Sequence, residues 1–129
     1  MSGEFAIYPS LRDRVVFITG GASGIGAEHV AQFAAWMERM RNTMEGERSV
    51  LDNSMIVYGA GLSDPNDHLH DNLPTVIVGS AGGFLKTNRH VVYRKETPMC
   101  NLFLSMMSRM GVEREHFGDS TGHLDELAG

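Results

Sequence analysis

The chain has a single cysteine, Cys100, among its 129 residues. No internal disulfide can form, and a cysteine-based metal cage is excluded. It lacks any run of roughly 18 apolar residues, so no segment reads as a membrane-spanning helix. The opening M-S-G-E-F-A-I-Y-P-S has neither a basic stretch nor an apolar one behind it. The chain as given therefore reads as cytoplasmic, without a secretory signal. Basic residues are scarce: 11 Lys and Arg stand against 16 Asp and Glu, a net charge of −5. That balance argues against nucleic acid or an anionic membrane as the main partner.

What remains is an ordinary globular composition, 42% hydrophobic and 21% charged. The length suits one compact domain over 1–129, which can bury roughly two-thirds of its unfolded surface. The 9 methionines point to a pliable core.

Residues 14–19, R-V-V-F-I-T, form a short apolar, β-branched run ahead of glycines, the pattern of a buried strand. From Gly24 the period changes. Val30, Phe33, Ala34, Met37, Met40 and Met44 recur at helical spacing and predict a helix over about 24–45, with Gly46 as its stop. Residues 54–60 and 75–79 read as two further strands, and H-V-V-Y-R from His90 as a short edge strand. Thr97-Pro98 starts a second helix carrying Met99, Leu102, Phe103, Met106 and Met110, and Gly111 ends it. The polar tail behind it predicts a loop. The order strand, long helix, strand, loop, strand, helix predicts an α/β fold: a small, incomplete, Rossmann-like parallel sheet of about three strands with two main helices, βαβ-βα.

T-G-G-A-S-G-I-G at 19–26 lies between a predicted strand and a predicted helix, the context in which a glycine motif gains meaning. Gly20 permits the tight turn, Gly24 lets a pyrophosphate approach the backbone, and Gly26 lets helix and strand pack closely. The helix N-terminus adds free N–H groups and partial positive charge. The alternative is a glycine-rich turn without a ligand.

Residues 11–35, L-R-D-R-V-V-F-I-T-G-G-A-S-G-I-G-A-E-H-V-A-Q-F-A-A, resemble the start of a short-chain dehydrogenase/reductase, and the likeness extends over about residues 1–36. The resemblance implies NAD or NADP as cofactor, with Thr19, Gly20, Ser23, Gly24, Ile25 and Gly26 lining the adenosine and pyrophosphate. It also implies hydride transfer to or from a carbonyl or alcohol, but the family's Tyr-x-x-x-Lys pair is absent. Four residues after Tyr8, Tyr58 and Tyr93 stand Arg12, Leu62 and Thr97, and Gly59-Ala60-Gly61 stands where a ribose selector would be. No complete catalytic site is expected in this chain alone.

L-S-D-P-N-D-H-L-H-D-N-L-P at 62–74 gathers Asp64, Asp67, His68, His70 and Asp71. Imidazole with carboxylate suits zinc or another divalent metal, and in an extended stretch His68 and His70 would point the same way. The alternative is a solvated polar turn. Residues 44–127 resemble the C-terminal part of an uncharacterised, usually exported bacterial family typical of planctomycetes. The likeness rests on L-D-N-S-M-I-V-Y-G, S-D-P-N-D-H-L-H-D-N-L-P, G-S-A-G-G-F-L-K-T-N-R-H and F-G-D-S-T-G-H-L. That family is similar to the alkaline-phosphatase and sulfatase superfamily. This resemblance implies Asp64, His68 and His70 as part of a divalent-metal site whose other ligands would lie upstream.

The chain thus reads as a dehydrogenase-like βα segment, 1–36, joined to an alkaline-phosphatase-like segment, 44–129. Two functions are expected from it: NAD(P) binding at Gly20 to Gly26, and a metal-associated, hydrolase-like role at the Asp/His loop. A folded remnant without activity is the third. The partners expected are a dinucleotide, with a second copy or a completing chain. Lys86, Arg89, His90, Arg94 and Lys95 read as a solvated loop flank, and Cys100 as a small buried hydrophobe despite a helix start that would lower its pKa.

Overall fold

The computed structural model describes residues 15–19, 26–64, 66–93 and 96–128. The elements are β1 (Val15–Thr19), α1 (Gly26–Asn42), β2 (Met44–Glu45), β3 (Arg48–Ser49), β4 (Met55–Gly59), β5 (Thr75–Val78) and α2 (Met99–Arg109). The α/β class follows from them. β1, β4 and β5 form a three-stranded sheet in the order β1-β4-β5, while β2 and β3 form a small hairpin.

β1 and β4 run parallel, in register from Val15 beside Met55 to Thr19 beside Gly59. α1 lies between them in the chain, as the sequence predicts. The all-parallel, Rossmann-like sheet does not form, because β5 runs antiparallel to β4, with Gly59 opposite Thr75 and Ile56 opposite Val78. The physical reason is the connection. A parallel return needs a crossover of a dozen or more residues, usually a helix. Residues 60–74 carry no helix among those described, and they bring the chain back to the end of β4 that it left.

Strand alternation sends Met55 and Val57 to one face of the sheet and Ile56 and Tyr58 to the other. On the first face Met55 and Val57 join Leu85, Leu102, Met106 and Leu127 in the core, with Ile77, Phe84, Met99, Phe103 and Leu124 packed around it. On the second face Phe33 of α1 stacks on Tyr58, and Ile56 is wholly buried. The predicted stripe of α1 is only partly used. Met37 is buried, but Val30 is 52% exposed and Met44 62% exposed. A 17-residue helix is about 25 Å long and overshoots five-residue strands of about 17 Å. α1 ends at Asn42, so Met44 belongs to β2 instead. Gly46 is not the helix stop but the first residue of the two-residue β2–β3 turn, at φ 67°.

α2 ends as predicted. Gly111 sits at φ 78°, its N–H donates to Ser108 O, and Val112 N–H donates to Met107 O, a Schellman closure. Pro98 occupies the cap position of α2. Residues 90–93 form no strand, so the expected edge strand is absent there. The tail is largely irregular, as expected, but it is tied down. Asn101 Nδ2 donates to Thr121 Oγ1 and Asn101 Oδ1 accepts from Thr121 N, while Ser105 Oγ accepts from Leu124 N. Asn101 is buried, so this reciprocal pair satisfies an amide that would otherwise be costly. No described helix is long and apolar enough to cross a membrane.

Candidate functional site

The carboxyl ends of parallel strands are where ligands of open α/β sheets gather. Here that edge is defined by Thr19 and Gly59, neighbours across the β1–β4 pair. Thr19 closes β1 and Gly26 opens α1. Gly20, Ser23, Gly24 and Ile25, the middle of the glycine motif, lie outside the described residues.

β4 leaves the same edge through Gly59, Ala60 and Gly61. Gly59 has a local reason to be glycine: a Cβ there would stand 3.1 Å from Pro74 O and 3.5 Å from Thr75 Oγ1. The returning strand passes that closely, so any side chain at this position would push Pro74 O back by a few tenths of an ångström.

The Asp/His loop is not the extended stretch that the alternation of His68 and His70 assumes. It closes on itself, with Ser63 N–H donating to Leu69 O at 2.9 Å and Leu69 N–H to Asp64 O at 3.1 Å. Asp64 Oδ1 accepts from Asn66 N at 2.8 Å and Asp67 N at 3.4 Å, an Asx turn. His68 and Asn72 hold left-handed φ values of 53° and 50°. His70 Nδ1 lies 2.8 Å from Gly61 O. In the tautomer that donates this bond, Nε2 keeps its lone pair, the orientation a metal-ligating imidazole takes. Asp64, His68 and His70 are all exposed. Among the described residues no three His, Cys, Asp or Glu side chains converge as a metal cage. This loop conformation therefore fixes the His70 ring and does not bring the three side chains together.

Sequence reasoning missed the knot that ties the hairpin to the sheet. Asp52 Oδ2 accepts from Ser49 N at 3.1 Å and Ser49 Oγ at 2.8 Å, while Asp52 N donates to Ser49 Oγ at 3.0 Å. The S-x-x-D spacing was the available signal, since it is that of a capping box. These bonds hold the Asp52 carboxyl below its ordinary pKa, with the Arg48 and Arg41 charges adding to them. Asp52 O in turn accepts from Ser80 Oγ and Gly82 N. Gly79, at φ 94°, lies so close that a Cβ would stand 2.2 Å from Ser54 O.

Cys100 does not behave as a helix-start thiol. The hydrogen bond with Asp119, and then burial, push its pKa up, so the lowering expected from the helix dipole is overridden. In the basic stretch, Arg89 Nε donates to Lys86 O and Nη2 to Glu126 O, while Lys86 and His90 are exposed. Arg94 and Lys95 lie outside the described residues.

No protein-family model matches this chain, and no curated protein or solved structure matches it.

Proposed function

We propose that the chain is a dinucleotide-binding module of the oxidoreductase type, with NAD or NADP held at Thr19, Gly20, Ser23, Gly24, Ile25 and Gly26. One observation carries the reading: β1 and β4 are parallel neighbours joined through α1, which opens on the last glycine of the motif. In such a unit the motif's backbone N–H groups and the helix N-terminus receive the pyrophosphate. The resemblance of residues 1–36 to short-chain dehydrogenases supports the same ligand. With no Tyr-x-x-x-Lys pair in the chain, the role is binding, and hydride transfer would need groups supplied by a partner chain.

Affinity should be weak, because the described residues show neither a ribose selector after β4 nor a second mononucleotide half. Millimolar binding corresponds to about 4 kcal/mol. Calorimetry with NAD and NADP is the test. Weak saturable binding that Gly24→Val removes supports the proposal. Binding unaffected by Gly24→Val, or micromolar affinity, counts against it.

A second reading, a divalent metal held by Asp64, His68 and His70, draws on the resemblance of residues 44–127 and on the His70 Nδ1 contact with Gly61 O. Zinc titration of the wild type against His68→Ala/His70→Ala checks it. Uptake should fall in the variant, and also as pH drops through the imidazole range. Equal uptake by both proteins returns the loop to a solvated turn.

A further inference from the structure

At the amino end of β4, away from the edge that Thr19 and Gly59 define, a half-open groove of about 300 Å3 is lined by Asn53, Met55, Ala81, Gly82, Arg109 and Met110. We propose that this groove binds a small amphiphilic carboxylate, its charged end on Arg109 and its apolar body along Met55 and Met110.

Arg109 is held in place before any ligand arrives. Nη2 donates to Ala81 O at 3.0 Å, and the guanidinium carbon lies 4.7 Å from the centroid of the Phe84 ring. A guanidinium carries five N–H donors in a planar fork, so most remain for a carboxylate. A second guanidinium stands at the rim, with Arg48 Nη1 3.3 Å from where a Cβ of Gly83 would be. Gly82 and Gly83 are exposed, with φ values of 72° and 95°, so no side chain rises between the two arginines.

The nearby acids are already engaged. Glu45 Oε2 accepts from Asn53 Nδ2, and Asp52 is held by Ser49. The Arg48 charge lowers the Asp52 pKa from nearby, but the Asp52 carboxyl itself is hydrogen-bonded to Ser49, and the Arg109 guanidinium donates to the Ala81 carbonyl. The carbonyls of Met107 and Ser108 at the end of α2 accept from Val112 N and Gly111 N, which blunts their repulsion of an anion. Met55 and Met110 give the groove thioether side chains that adapt to an aliphatic body.

The test is amide chemical-shift mapping with hexanoate, hexylammonium and inorganic phosphate as probes. Hexanoate should shift Asn53, Gly82, Gly83 and Met110 saturably, with a dissociation constant in roughly the millimolar range. Arg109→Gln should weaken that binding at least about tenfold and Arg48→Gln about threefold, the losses expected for one direct and one rim charge. Arg48→Gln keeps the β2–β3 backbone pairing and leaves the Arg109–Phe84 contact in place, so it reads out even if Arg109→Gln disturbs Phe84. Equal shifts from hexylammonium would reduce the groove to an apolar patch and overturn the proposal. Phosphate saturating the same amides as tightly as hexanoate, or both variants binding hexanoate like the wild type, would overturn it as well.

Discussion

The ring of Phe33 on α1 lies almost face to face with that of Tyr58 on β4, centroids 4.5 Å apart and planes 21° from parallel. This aromatic pair is one contact that fastens the crossover helix to the sheet, alongside the buried Met37, whereas Ala34 is exposed and Val30, one turn earlier, is 52% exposed.

Phe33→Ala should therefore lower stability by about 2 kcal/mol. That is less than the roughly 3–5 kcal/mol of a fully buried phenylalanine, because Phe33 is half-buried. Val30→Ala should change it by less than about 0.5 kcal/mol. Urea unfolding of the two variants against the wild type measures the difference.

The glycines at 46 and 79 share a left-handed backbone but not the same surroundings. Around Gly46 nothing lies within 4 Å of a Cβ, whereas at Gly79 a Cβ would collide with Ser54 O and Leu51 O. Gly46→Ala should cost about 1 kcal/mol from backbone strain alone. Gly79→Ala should cost about 3 kcal/mol or more, because the Ser54–Ala81 turn must open as well. Thermal unfolding in parallel ranks the two, and equal losses would refute the collision.

Asp52 supplies a pH dependence whose sign is fixed by its lowered pKa. A carboxyl with a depressed folded pKa adds stability above its unfolded value and loses that contribution as pH falls through the folded one. Stability should thus begin to drop below about pH 4, the ordinary aspartate range. Asp52→Asn and Ser49→Ala should both flatten that part of the curve. Urea midpoints across pH 2.5 to 6, chosen to bracket about pH 4, supply the comparison.

Tyr93 presents a buried hydroxyl with no hydrogen-bond partner among the described residues. Burial, with the Glu126 charge second, pushes its pKa up. Tyr93→Phe removes an unsatisfied polar atom while keeping the ring, so stability should rise by about 1 kcal/mol. A melting temperature that falls instead would mean the hydroxyl has a partner.

The parts legible in the sequence were those with a local pattern. V-V-F-I-T and M-I-V-Y-G announce β1 and β4 by composition, and Gly111 announces the end of α2 by its position after the methionine stripe. The direction of β5 was not legible, because T-V-I-V has the same buried-strand composition whether parallel or antiparallel. It was decided by the loop before it, where His68 and Asn72 turn the chain back. The β2–β3 hairpin was hidden because its strands are two residues each, too short for alternation to register. Met44 extended the helical period by coincidence, so the stripe overran the helix. Of the candidate sites, the strand and helix that flank the glycine motif were legible. The folding of the Asp/His loop into a closed turn was not, since it depends on backbone bonds between Ser63, Asp64 and Leu69.

Leu127 belongs to the same core as Met55 and Val57. A ribosome builds the chain from the other end, so β4 emerges long before the residue that closes over it. Until Leu124 and Leu127 have been added, one face of the nascent sheet stays wet and apolar, open to chaperones and to neighbouring nascent chains. The core is sealed only once Leu127 has been made, and a ribosome stalled in the 112–123 stretch would display an open hydrophobic face to any assay of nascent-chain binding.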